Sequence, residues 1–237
     1  MTRRIKRLAA PNSWRIARKV KKWTISPTPG PHPVKDSIPL MMALRDVVGV
    51  ANTSREARKT IGERKVMVDG RVVTDYRYPL GIMDVVSIPV MKKHYRVLKD
   101  PLGRIGLYEI PEEKAKWKLV KIMNKTILKG GFTQLNLHDG RNILVEKHYG
   151  TKDVLKIEIP SQKIIAHYPF AEGKICMVTG GKHAGKVVTI DRYEVMRASS
   201  PNIVYFKEGM STIEDYVFII GDKLPEIVVP EVKMNAE

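Results

Sequence analysis

Residues 1–35 carry ten basic side chains and not one acidic one. The set is Arg3, Arg4, Lys6, Arg7, Arg15, Arg18, Lys19, Lys21, Lys22 and Lys35. The whole chain has a formal net charge of +17, so this segment holds more than half of the excess. A stretch this basic repels itself and can bury little apolar surface, so it is not expected to form a core alone. A polyanion would neutralise it, and Trp14 and Trp23 offer planes for stacking on bases. Residues 12–23 are expected to form a short amphipathic helix, with Ile16, Val20 and Trp23 on one face and Arg15, Lys19 and Lys22 on another. Pro27, Pro29, Pro31 and Pro33 then dictate a stiff, extended linker.

The totals narrow the class. At 43% hydrophobic and 28% charged residues the chain is globular. An isoelectric point near 9.9 is the footprint of a nucleic-acid binder. No stretch approaches the length of a spanning helix, and Leu8–Ala10 runs straight into Pro11, so a membrane partner and a secretory leader are not expected. The one cysteine, Cys176, allows no intrachain disulfide framework and points to a reducing compartment. One cysteine and six scattered histidines show no zinc-ligand spacing, so neither metal nor cofactor is expected. From residue 213 onward acids outnumber bases, and that tail is expected to face solvent or a basic protein.

Residues 37–90 read as a small α+β module. Ser37 is a candidate N-cap, and Leu40, Leu44, Val47 and Val48 give a helical stripe. Thr53 with Glu56 three residues on forms a capping box for a second helix. Ala57 and Ile61 face inward there, while Arg55, Arg58 and Lys59 share an outward stripe. The period then switches to two at Val66 and Val68. Asp69-Gly70 before Val72 is a hairpin signal, and residues 84–88 close the module as a strand. The run from Leu44 to Val73 resembles the S-four RNA-binding domain, in Arg45-Asp46, Ser54-Arg55, Ala57, Ile61 and the Val66-x-Val68-x-Gly70 ending. It departs from that pattern at Arg64, where a glycine is common; either the turn differs there or Arg64 adds a phosphate contact. The resemblance implies RNA contact through Arg45, Ser54, Arg55, Arg58, Lys59, Arg64 and Lys65.

Residues 91–170 read as β structure. Short β-branched or aromatic runs (104–110, 117–128, 132–137, 142–145, 154–159 and 163–166) are separated by glycine-bearing turns, which suggests a barrel-like domain. The lysines in Trp117–Ile122 roughly alternate with apolar residues, as in a half-exposed strand. From 171 to 222 the string EGKICMVTGGKHAGKVVTI resembles the KOW motif of small β barrels. Its glycines let backbone approach a phosphate, and Gly181, Lys182, His183 and Lys186 are its RNA-contact candidates. It is not a nucleotide-binding P-loop, since Val187 stands where Ser or Thr would hold magnesium.

The order of parts is similar, end to end, to the small-subunit ribosomal proteins of the archaeal and eukaryotic S-four "e" type. Further shared strings are Lys6-Arg7-Leu8-x-Ala10-Pro11-x-x-Trp14, Gly30-Pro31-His32, Tyr78-Pro79-x-Gly81-x-Met83-Asp84-Val85 and Cys176–Gly181. The expected fold is multidomain and mainly β with a small α+β module. It comprises a basic N-terminal arm (1–36), the S-four-like domain (37–90), a central β-rich barrel-like domain (91–170), a KOW SH3-like β-barrel (171–222) and an acidic tail (223–237). An archaeal source is expected. The resemblance implies a non-enzymatic role: binding folded small-subunit ribosomal RNA in its 5′ domain, beside neighbouring small-subunit ribosomal proteins, with no small-molecule substrate. The arm's contacts would be Arg3, Arg4, Lys6, Arg7, Trp14, Arg15, Arg18, Lys19 and Lys22, ordering on binding. The alternatives are a transient KOW-type transcription or assembly factor, and an RNA-modifying enzyme with an S-four tether. The latter lacks an evident nucleophile–base constellation.

Overall fold

A computed structural model describes residues 4–197 and 200–227. The chain divides into two compact units. Residues up to Leu98, Arg104–Lys118 and Glu158–Lys163 form the first; Lys99–Gly103, Leu119–Ile157 and the chain from Ile164 form the second.

In the first unit the basic arm is folded onto the α+β module. Strand β1 (Arg4–Lys6) pairs antiparallel with β2 (Trp23–Ile25). The expected helix over 12–23 does not form; the segment runs as turns and bends. The reason lies at Trp14, which is 2% exposed and donates its indole N–H to the Ser37 carbonyl at 2.6 Å. Ile5, Ala10, Ile16 and Ile25 join the same core. Of the face that a 12–23 helix would have buried, Ile16 reaches the core while Val20 and Trp23 stay exposed. Arg18 fastens the loop instead, donating to the carbonyls of Ala10 at 2.8 Å and Pro11 at 2.9 Å.

The proline segment delivers His32 into the interior. There it meets the bare α-carbon of Gly81; a Cβ at Gly81 would lie 2.2 Å from the imidazole ring. Ser37 caps no helix. It is buried and donates to the Pro33 carbonyl at 2.8 Å. Strand β3 (Ile38–Pro39) leads into α1 (Leu40–Met42), which continues as a π-helical turn over Ala43–Val47. Helix α2 (Ser54–Gly62) starts as its capping residues dictate. The Thr53 hydroxyl accepts from the Glu56 N–H, and the Glu56 carboxylate reaches back to the Asn52 N–H. Ala57 and Ile61 are its buried residues.

Strands β4 (Met67–Val68) and β5 (Arg71–Val72) form a hairpin across Asp69-Gly70, both at positive φ, as a tight mirror-image turn requires. Strand β6 (Pro79–Leu80) pairs with β3. Strands β7 (Val85–Ile88), β8 (Lys93–Lys99) and β9 (Ile105–Ile110) extend the hairpin into a five-stranded sheet ordered β5-β4-β7-β8-β9. A short α3 (Glu112–Ala115) precedes β10 (Trp117–Ile127).

The lysine pattern at the start of β10 does not mark a half-exposed strand. Lys118 is fully buried and Lys121 nearly so. Lys118 Nζ lies 2.7 Å from Asp69 Oδ2 and 3.2 Å from Asp84 Oδ1. The remaining carboxylate oxygens accept from the Val85 and Gly81 N–H groups, both at 2.9 Å, and Asp84 also faces His32 Nε2 at 2.9 Å. Burial works against the Asp84 anion, but Lys118 and His32 outweigh it and hold its carboxyl below the usual range.

In the second unit β10 joins β11 (Thr133–Leu137), β12 (Asn142–Val145), β13 (Val154–Glu158) and β14 (Ile164–Tyr168), in the order β12-β11-β10-β13-β14. Val120, Ile122, Leu135, Leu137, Leu155 and Ile157 fill the inner face. A second five-stranded sheet contains β15 (Ile175–Val178), β16 (Val187–Glu194), β17 (Ile203–Phe206), β18 (Ser211–Ile213) and β19 (Val217–Gly221). Its first strand pairs with both β16 and β19, which curls the meander as an SH3-like barrel does. Lys121 ties the two sheets of this unit together, donating to the carbonyls of Glu214, Asp215 and Val217 at 3.3, 3.0 and 2.7 Å. Loss of hydration lowers the Lys121 pKa to about 8.

Candidate RNA-binding surface

Helix α2 presents its charges as its sequence implies. Arg55, Arg58 and Lys59 are exposed, opposite the buried Ala57 and Ile61. Arg55 has no hydrogen-bond or ionic partner among the described residues. Arg58 stacks its guanidinium over the Tyr76 ring, 4.4 Å from the centroid, which aims it along the surface. Lys59 and Lys65 share Glu63, at 3.9 and 2.6 Å. The Lys65 hydrogen bond and the two positive charges hold the exposed Glu63 carboxyl below its ordinary value. Arg64 adopts a φ of 60°, the left-handed conformation that a glycine would take without strain. The turn is therefore retained with an arginine in it, and its side chain is exposed.

Beside α2 lies the arm. Arg45 is braced by both Asp46 carboxylate oxygens, at 3.0 and 2.7 Å, and by the Ser54 hydroxyl. Arg45, Ser54 and Arg58 line one cleft with Arg4, Arg7, Lys21 and Trp23 of the arm. Lys6, Arg15, Lys19 and Lys22 are exposed, and Lys22 lies 5.7 Å from the Trp23 ring centre. Two arm residues change role. Trp14 has no free face for a base, because its ring is core. Arg18 is committed to loop carbonyls. Arg3 lies outside the described residues. Trp23, 47% exposed, replaces Trp14 as the available aromatic plane, and Lys21 joins the charged lining. Both sit in the acid-free segment, but nothing local distinguishes the wet tryptophan from the dry one.

The KOW-like loop belongs to the second unit and runs from Val178 to Val187. Lys182 and Lys186 are exposed and His183 is half-buried. Gly181 takes a φ of +77°. The closest backbone approach in the loop is made to the chain itself. A Cβ on Gly185 would lie 2.0 Å from the Asp100 carbonyl oxygen, so that glycine seats the loop against its own chain. Among the described residues no group of three or more His, Cys, Asp or Glu side chains is placed to hold a metal ion. No helix there is long and apolar enough to cross a membrane.

Three family models match the chain. The RS4NT domain family matches residues 1–35, the S4 domain residues 39–86, and the Ribosomal family S4e residues 91–164. The small ribosomal subunit protein eS4 of Methanothermobacter thermautotrophicus is 46% identical over 230 residues, covering 95% of each chain. That of Archaeoglobus fulgidus is 47% identical over 221 residues, covering 92% of this chain and 93% of its own. The crystal structure of the 30S ribosomal protein S4e from Thermoplasma acidophilum superposes with a TM-score of 0.71 at 33% identity, covering 79% of this chain and 96% of that one. Identity at this level along nearly the full length, with the folds in agreement, means that the chain belongs to the S4e family of ribosomal proteins.

Proposed function

We propose that this chain is a built-in, non-catalytic component of the small ribosomal subunit in the cytoplasm. It binds folded small-subunit ribosomal RNA in the 5′ domain and lies beside neighbouring ribosomal proteins. The observation that carries the reading is the concentration of positive charge with few acidic partners on one unit. Arg4, Arg7 and Lys21 of the arm line a cleft with Arg45, Ser54 and Arg58 of the α+β module, and Arg55 and Lys59 of α2 are exposed, as are Arg64 and Lys65 just after it. Lysine and arginine at that density neutralise phosphates where RNA helices converge. Recognition is of shape, because side chains cannot enter the deep, narrow major groove of A-form RNA. Lys182, His183 and Lys186 of the KOW-like loop supply a second contact.

Co-sedimentation separates this role from that of a visiting factor. The full chain should remain with purified small subunits through a high-salt wash, and ultraviolet crosslinks should fall on 5′-domain nucleotides. Quantitative release into the supernatant, or absence from intact subunits, would overturn the proposal.

A further inference from the structure

Arg7 is the anomaly of the arm. It is 6% exposed, yet no carboxylate pairs with it among the described residues. One terminal nitrogen donates to the Ala17 carbonyl at 2.5 Å, and Nε, also buried, has no partner. Proteins rarely bury an uncompensated guanidinium, because its lost hydration must be replaced by an anion or by hydrogen-bond acceptors. Arginine 7 also sits where two clefts adjoin. One, of about 170 Å³, lies between the β1–β2 pair and α2. The other, of about 400 Å³, reaches the start of α2. Lys21, Arg45 and Ser54 line both. The one acid on either wall, Asp46, is already bonded to Arg45 at two points.

We infer that this junction is a phosphate-binding site, built jointly by the arm and the α1–α2 region, that takes one backbone phosphodiester of RNA with Arg7 as its buried ligand. The inference rests on the RNA-binding role proposed above and deepens it. The chemistry fits. Nε and the neighbouring terminal nitrogen of a guanidinium form a planar fork matched to phosphate oxygens. Lys21 and Arg4 supply further charge, and the Ser54 hydroxyl a polar wall. The same contact explains how an acid-free arm can lie against Arg45 and Arg58 of the module. The bound phosphate supplies the negative charge that the protein lacks there, so arm docking and RNA binding reinforce one another.

The test is Arg7→Met in the full chain, which keeps the aliphatic stem and removes the charge. Affinity for 5′-domain ribosomal RNA should fall at least tenfold, and the slope of log K against log salt should become shallower by close to one phosphate. The melting temperature of the free protein should hold or rise, since an unpaired buried charge has gone. Inorganic phosphate should raise the melting temperature of the wild-type chain above that in chloride of equal ionic strength, and should not do so for Arg7→Met. A charge-matched 5′-domain RNA fragment should compete for the site at far lower concentration than free phosphate, which assigns the site to RNA. Arg7→Lys, which restores charge without the fork, should recover part of the affinity and salt slope. If Arg7→Met melts lower while the salt slope is unchanged, Arg7 is a loop fastener and the site is refuted. If the wild-type chain itself fails to bind the RNA, the broader functional reading falls with it. Wild-type binding that Arg7→Met and Arg7→Lys both leave intact defeats only this site.

Discussion

The Lys118 ammonium lies 2.7 Å from the Asp69 carboxylate, with neither side chain more than 4% exposed. Asp84 Oδ1 faces the same ammonium at 3.2 Å. Removing the lysine leaves two carboxylates without their shared cation in a site that water does not reach. Lys118→Met should therefore cost about 3–5 kcal/mol in the unfolding transition of the first unit. Adding Asp69→Asn to that variant should recover part of the loss. A drop below about 1 kcal/mol in denaturant titration would mean the cluster is solvated.

The same cluster sets an acid limit. The Asp84 carboxyl is held below its ordinary value of 3.8. In the unfolded chain it titrates normally, so on acidification the unfolded state takes up this proton first. Its contribution to stability is complete above about pH 4 and disappears as pH falls further toward the folded value. Unfolding free energy measured between neutral and acid pH should decline below that point. In Asp84→Asn the decline should be shallower, with lower stability at neutral pH.

Arg64 offers a separation of stability from binding. Its φ of 60° costs an L-residue about 1 kcal/mol that glycine avoids, less the extra chain entropy glycine brings to the unfolded state. Arg64→Gly should raise the melting temperature slightly while weakening ribosomal RNA binding. A parallel fall in both would show that the side chain has a structural role.

On α2 the two arginines should part company. Arg55 makes no hydrogen bond or ion pair among the described residues, so Arg55→Ala should reduce RNA affinity with no change in melting temperature. Arg58 is stacked on Tyr76, so Arg58→Ala should lose about 0.5–1 kcal/mol of stability as well as affinity. Calorimetry and filter binding on the two single variants distinguish these outcomes.

Electrostatic binding carries a salt signature. If about 6–10 phosphates are contacted, affinity for free ribosomal RNA should fall by roughly 10³–10⁵ between about 50 and 200 mM salt. A flat response in a titration series would exclude phosphate neutralisation as the source of affinity.

Local pattern was enough for α2 with its Thr53 cap, for the Asp69-Gly70 hairpin, for most strands from Ile105 to Tyr168 and for the class of partner. Each depends on residues within one helical turn, one hairpin or one run of charge, where spacing alone fixes which side chains share a face. The same strings do not fix which sheet a strand enters: the run 104–110, expected in the central β-rich domain, joins the sheet of the α+β module as β9. Pattern also misread Trp14 as a stacking plane and Lys118 as half-exposed. What buries them lies 23 residues away at Ser37 and 49 residues away at Asp69. Burial is a property of the surface that arrives from elsewhere in the chain, so a basic or aromatic residue reads the same in sequence whether it meets water, a carboxylate or a core. Only the folded chain decided that Trp23 stays wet, that Lys118 is neutralised inside, and that Arg7 is enclosed without a carboxylate partner among the described residues.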